Sequence, residues 1–316
     1  MARVSQKTIL FSWLISISIA GIIGFLGIVV IYVPFLEHTF APLNPDAPVD
    51  TILKLKAVSL LNLDVLNFQL NIDIMDVTWL ALLLLFILPA YYYRKDHIWK
   101  NKINNYLPYL LREIADAQKV GLPLPRAILE ASKRQYGPLT EELKLMASKI
   151  SWGIPFSDAL RDMSSNINTS LFRSTSVLIL EAERSGGQTE DIFDSAYEHV
   201  NSILGLERER LSSMSPYKWI ILISFVVFSV ILVLLLNSFF VQLAVRSSQE
   251  GIGGGLPMNL ALLQLLFFHI LMIEGSLSGV IASKMGTGNV KIGLVNALVM
   301  ITLGFIIFKI GAILIG

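Results

Sequence analysis

Glu274 and His269 are the chemically most conspicuous residues of the chain, because both lie inside an apolar run from Leu256 to about Ala282. A charged side chain at the centre of a bilayer costs on the order of 2.5–3.5 kcal/mol on insertion scales. That cost falls toward the interface and is avoided by protonation. Glu274 therefore reads as a polar contact that locks two copies together or meets a helical partner, or as a protonated or interfacial carboxyl at a slightly shifted helix end. Asn296, near the start of the last apolar run, is the candidate partner at similar depth. His269 is five residues from Glu274, about 140° round a helix. The two share no face, so a metal pair is not expected, and His269 reads as a hydrogen-bonded buried imidazole. His38, His97 and His199 are scattered elsewhere, and the chain has no cysteine. Disulfides, thiolate metal sites and thiol catalysis are thereby excluded, and no cofactor is expected.

A second charged group precedes a glycine pair. Glu181, Glu183 and Arg184 lead into Gly186-Gly187, with Thr189 and Asp191 opening the next helix. This is either a solvated helix end stopped by glycine or a charged rim that docks a partner, with Glu183 or Arg184 outward and Glu181 toward the helices. The glycine pair lacks the G-x4-G-K-[ST] pattern of a phosphate cradle. The glycine-rich stretch Gly251-Ile-Gly253-Gly254-Gly255 lacks it too. Nucleotide binding is not expected of this chain. Arg112, Glu113 and Asp116 read as a solvated helix face with an i,i+4 pair.

These residues are carried by two kinds of chain. Of the 316 residues, 54% are hydrophobic and 16% charged, with mean hydropathy +0.64. Residues 94–218 hold 17 of the 25 Lys/Arg and 16 of the 24 Asp/Glu. The rest is lipid-compatible. A span needs about 20 mostly apolar residues, and five runs qualify: Ile9 to Pro34, Val77 to Tyr93, Trp219 to Val245, Leu256 to about Ala282, and Ile292 to Ile315. The first is read as retained rather than cleaved, because its uncharged run from Thr8 to Leu36 is too long for a signal peptide. Gly275 and Gly279 on the fourth run have the spacing that lets two membrane helices approach closely. With Arg3, Lys7, Arg94, Lys95, Lys100, Lys102, Lys218, Lys284 and Lys291 on one side, the N-terminus and residues 94–218 are expected in the cytoplasm and the C-terminus outside. Lys309, late in the last run, is expected to snorkel to the outer interface. Net charge is +1, so no nucleic-acid partner is implied.

Within 94–218 the apolar spacing predicts helices near 103–120, 125–135, 139–152, 156–163, 169–184 and from Thr189 onward. No breaker lies between Asp191 and Ser215, so the last is expected to run toward the third span, with Pro216 as a possible hinge. The helix stops at Gly121, Gly153 and Gly187 are 32 and 34 residues apart, a repeat of helical hairpins.

Three phrases, Gly121-Leu-Pro-Leu-Pro-Arg-Ala-Ile, Gly153-Ile-Pro-Phe-Ser-Asp-Ala-Leu and Glu181-Ala-Glu-Arg-Ser-Gly-Gly-Gln, together resemble the type II secretion system protein F domain. The resemblance covers roughly 105–240. The stretch from Gly275 to Gly293 is similar to the archaeal and Tad-like branch of that family. The resemblance implies a non-enzymatic membrane platform of type IV pili, Tad pili, the archaellum or a secretion system. Such a platform couples a separate hexameric ATPase to insertion of pilin-like subunits. It also implies an ATPase-docking role for Glu181, Glu183, Arg184, Gly186, Gly187 and Asp191. Many platform proteins carry two copies of the domain and this chain has one, which implies a second copy from a dimer or a paralogue.

The expected fold is an all-α membrane protein with five transmembrane helices and a six-helix cytoplasmic bundle between spans two and three. The domains are 1–36 (first span), 37–76 (outer segment), 77–93 (second span), 94–218 (secretion-system-F domain) and 219–316 (three further spans). The intramembrane set is His269, Glu274, Gly275, Gly279 and Asn296. The competing function is a small transporter or channel using Glu274 and His269, which the absence of charge in the first three spans argues against. An intramembrane protease would need paired catalytic residues in the spans, and only Glu274 and His269 are present.

Overall fold

The computed structural model describes residues 4–27, 62–65, 68–71, 74–185, 189–240, 242 and 260–315. Residues 37–61 of the expected outer segment 37–76 lie outside them, as do the end of the first span, the end of the third, the start of the fourth, and Gly186 and Gly187. Helices account for most of what is described. They are α1 (Gln6–Gly27), α2 (Ile74–Lys119), α3 (Leu124–Ala131), α4 (Leu139–Ser151), α5 (Phe156–Ile167), α6 (Ser170–Ser185), α7 (Thr189–Leu235), α8 (Leu260–Thr287) and α9 (Gly293–Ile315). One departure from an all-α fold is a small antiparallel hairpin, β1 (Asn62–Val65) with β2 (Phe68–Asn71), in which Leu63 pairs with Leu70. Five helices are long and apolar enough to cross a membrane, so this is a multi-pass membrane protein.

Contacts divide the chain into two compact units. One is Lys95–Ser213 with Met1–Val4, and the other is Ser5–Arg94 with Met214–Gly316. Two helices, α2 and α7, have residues in both. The separate helix expected from 103 is instead the second half of α2. No glycine interrupts Ile74–Lys119, and i,i+4 bonds join the stretch that follows the apolar run. Lys100 Nζ reaches Asp96 Oδ2 at 2.7 Å, and the Asn101 amide nitrogen lies 2.9 Å from His97 Nε2. Such pairs add a few tenths of a kcal/mol each. Pro89 and Pro108 lie within the helix, and each removes one N–H donor from its ladder. In the same way α7 runs through Pro216 without ending, so the expected hinge residue is interior to a helix.

In the polar unit, the stripe Ile103, Leu107, Leu110, Leu111 and Ile114 of α2 is almost fully buried. It shares one core with Ile128 of α3, Leu143 of α4, Leu160 of α5, Phe172 of α6 and Phe193 of α7. Two of the connecting turns are the same structure. Gly121 takes φ 80° and Gly153 φ 86°, the left-handed region where a Cβ is penalised. Leu122 N–H donates to Ala117 O at 3.2 Å and Gly121 N–H to Gln118 O at 2.8 Å. Ile154 N–H donates to Lys149 O at 3.1 Å and Gly153 N–H to Ile150 O at 3.0 Å. Each pair of bonds is a Schellman stop that satisfies the last carbonyls of its helix. Pro123 and Pro155 then start α3 and α5 from extended backbone, with ψ 144° and 140°. The repeated phrase in the sequence is thus a repeated stop, turn and restart.

In the membrane unit, α8 and α9 form an antiparallel hairpin turned at Gly288 (φ 69°) and restarted by Asn289, whose Oδ1 accepts from Lys291 N–H at 3.0 Å. Phe225, Phe268, Leu271, Ile301 and Phe308 are buried together. Trp79 of α2 stacks on Phe305 of α9 with ring centres 4.5 Å apart. Lys309 Nζ is held by Asp76 at 2.9 and 3.0 Å from its two oxygens. The lysine expected to snorkel is therefore paired with a carboxylate at the start of α2.

Candidate functional site

The charged rim is built at the end of α6 and the start of α7. The core face of α6 is Phe172, Thr175, Ser176 and Ile179. Helical geometry sets Glu183 about 40° and Glu181 about 200° from Ile179. Accordingly Glu183 is half-buried while Glu181 and Arg184 are exposed, which corrects the expectation that Glu181 turns toward the helices. Thr175 and Ser176 are satisfied locally by the carbonyls of Leu171 and Phe172, at 2.9 and 2.7 Å. Asp191 is exposed in the first turn of α7. Three residues on, Asp194 Oδ2 takes a bond from Lys119 Nζ at 2.8 Å, which ties the turn at Gly121 to the opening of α7. The ion pair is open to solvent and worth at most about 1 kcal/mol, so it locates the two elements rather than clamping them.

The turns also present apolar side chains that sequence reasoning overlooked. Val120, just before Gly121, is 76% exposed, and Trp152, just before Gly153, is 87% exposed. Their signal was available: each is a large apolar residue beside a helix-stopping glycine, off the stripe that its own helix buries. Arg112 does not close on Asp116; its guanidinium lies over the Tyr197 ring, 5.9 Å from the ring centre. Glu113 instead accepts from the Tyr136 hydroxyl and pairs with Arg134. Burial first, and then that bond to the carboxylate, push the Tyr136 phenol well above its usual range. This cluster staples α2 to the segment after α3.

In the membrane unit, Gly275 and Gly279 face α9 and its neighbour α7. A Cβ on Gly279 would fall on the backbone of Ala297 and lie 2.8 Å from the Asn296 carbonyl carbon. One on Gly275 would lie 3.2 Å from the Phe225 ring. Two glycines of α9 that sequence reasoning passed over act alike. Gly304 receives the Phe225 ring (3.0 Å from a built Cβ), and Gly311 receives the Val233 side chain. Their seven-residue spacing, two helical turns, was the available signal. This register separates the expected Glu274–Asn296 pair. Gly275 lies beside Ile301, and Asn296 lies beside Gly279, about one and a half turns away along α9. Among the described residues, Glu274 Oε2 is buried with no hydrogen-bond partner. His269, expected as a hydrogen-bonded buried imidazole, is half-buried, and its Nδ1–H donates to Leu265 O at 2.7 Å. Among the described residues no group of three or more His, Cys, Asp or Glu is arranged to hold a metal.

Residues 110–236 match the sequence model of the family described as "Type II secretion system (T2SS), protein F". This segment starts in α2 within the buried stripe, at Leu110, and ends one residue past α7, so it takes in both Schellman turns and the charged rim. The segment is therefore similar to the protein F family, the one that the sequence resembles. The chain is also similar to a protein of Methanocaldococcus jannaschii named "Uncharacterized protein MJ1286", at 25% identity over 230 residues. That match covers 73% of this chain and 37% of the relative, so the chain spans well under half the relative's length. No solved structure matches.

Proposed function

We propose that this protein is the membrane platform of a type IV filament or secretion machine. In this reading the bundle of six helical segments within 94–218 is cytoplasmic and the C-terminus lies outside, as the placement of Lys and Arg favours. A separate hexameric ATPase docks on the helix-end turns and on the rim of Glu183, Arg184, Gly186, Gly187 and Asp191, the part of the expected set that excludes Glu181. Its motion passes along α7, which runs unbroken into the third span, to a membrane face that guides pilin-like subunits. A second copy or a paralogue completes the platform. The chain itself supplies position and transmission and no catalysis.

The single observation that carries this reading is the protein F match at 110–236, lying over two turns of identical hydrogen-bond pattern. The transporter reading finds less support. His269 is engaged with its own helix at Leu265, and the first three apolar runs carry no charged residue from which a polar path could be built with Glu274. The test is co-purification of the full chain with a secretion-type ATPase from the same cell, using the triple charge reversal Glu183→Lys, Arg184→Glu and Asp191→Lys. Loss of both ATPase binding and filament assembly supports docking at the rim. Retention of both removes it.

A further inference from the structure

The outer face of α6 is self-complementary about its middle. Its inner face is in the core, but Ser170, Arg173, Ser174, Val177, Leu178, Glu181 and Arg184 are exposed, at alternating three- and four-residue steps that make one continuous stripe. At its centre are two apolar residues, Val177 at 60% and Leu178 at 42% exposure. Arg173 lies four residues before Val177 and Glu181 four residues after it, about 6 Å each way along the axis. A two-fold axis through Val177 therefore sets Arg173 of one helix opposite Glu181 of an antiparallel copy, and the same pair forms again on the other side. Ser170 and Arg184 are likewise equidistant from Val177, so no like charges face each other.

We infer that the outer face of α6 is a contact between two copies of this chain, packed antiparallel about Val177. The occupant is a second copy because the charge pattern is its own complement under a two-fold rotation, the property that an isologous interface requires. Arg173 Nη2 already donates to Asn168 Oδ1 at 2.8 Å, which steadies the guanidinium while leaving donors for a carboxylate. One helix face is well below the roughly 800 Å² per partner of a standard stable interface. The contact therefore depends on both copies being held in one membrane, where effective concentration is high. The inference rests on the platform reading only for the shared membrane. It assigns Glu181 to the second copy and leaves Glu183, Arg184 and Asp191 for the ATPase.

The chain has no cysteine, so single cysteines report on contact cleanly. Val177→Cys in the full chain, oxidised mildly in native membranes, is expected to give a disulfide dimer of twice the chain mass. Val120→Cys and Trp152→Cys, more exposed than Val177 but off the stripe, are expected to give little. In the Val177→Cys background, Arg173→Glu or Glu181→Arg alone sets like charges opposite each other and lowers dimer yield about fivefold; together they restore it. A Val177→Cys yield no higher than the two controls overturns the inference, as does a double variant as low as the singles or an adduct of another mass. ATPase co-purification measured on the same variants separates the two proposals: binding kept while the dimer is lost leaves the platform reading standing.

Discussion

Gly279→Ala probes the α8–α9 hairpin with a single methyl. The added Cβ would overlap the Ala297 backbone and sit 2.8 Å from the Asn296 carbonyl carbon, where about 3.4 Å and more is ordinary contact. Backbone cannot rotate away, so the helices must part by on the order of 1 Å, and a gap of that size forfeits a quarter to a half of the dispersion well at each contact. The contact at Gly293, whose built Cβ is 2.8 Å from Val280 Cα, loosens with it. Overpacking of this kind costs about 1–3 kcal/mol. Alanine returns up to about 1 kcal/mol of helix propensity over glycine, so the net loss is about 1–2 kcal/mol. Gly286→Ala, whose Cβ meets only Lys218 at 3.7 Å, keeps the propensity gain without the clash. Gly275→Ala meets the Phe225 ring at 3.2 Å, and a ring can turn, so it falls between. Unfolding of the purified protein in one detergent, followed by far-UV circular dichroism, should rank stability as Gly286→Ala, then Gly275→Ala, then Gly279→Ala. Equal stability of Gly279→Ala and Gly286→Ala would refute the close-packing argument.

Phe193→Ala, at a residue 1% exposed in the core of the polar unit, should cost about 3–5 kcal/mol, measured by the same unfolding. Gly121→Ala and Gly153→Ala should each cost about 1–2 kcal/mol, and by equal amounts, because both turns have the same φ and bonds and a Cβ meets nothing within 4 Å at either; unequal losses would break the equivalence of the two turns. Burial first, and Lys100 last, hold His97 below its usual value against Glu207 and Asp96. A depressed folded value means that stability is fully present above the unfolded value of about 6.5 and is lost as pH falls from there through the lowered folded value. Protonation also takes the Nε2 lone pair that accepts from Asn101. Thermal melts between about pH 8 and 5 should show this loss, and His97→Gln should flatten it.

The membrane layout was legible in the sequence because uncharged runs near span length are hard to place anywhere else. The turns were legible for a different reason. Gly121-Leu-Pro and Gly153-Ile-Pro carry both a residue free to adopt positive φ and a residue that restarts a helix, so one local pattern dictates the geometry. The long helices were less legible. A span ends in the sequence where charge begins, at Arg94, but backbone hydrogen bonding takes no notice of that boundary, and Asp96–Lys100 carries the helix across it. Glu181 was misread because charge and glycine mark a helix end without saying which side faces inward; only the buried Phe172 and Ile179 fix that phase. The Glu274–Asn296 pairing failed because depth in a bilayer is one coordinate, and the antiparallel register, set by Gly279 against Ala297, is another.

The most direct test of the platform account is the affinity of the full-length, detergent-solubilised protein for the secretion-type ATPase of its own cell, by biolayer interferometry at two salt concentrations. The account predicts specific binding that weakens about tenfold or more with Glu183→Lys, Arg184→Glu and Asp191→Lys together, and that survives Arg173→Glu with Glu181→Arg. No binding, or binding indifferent to the rim charges, contradicts it.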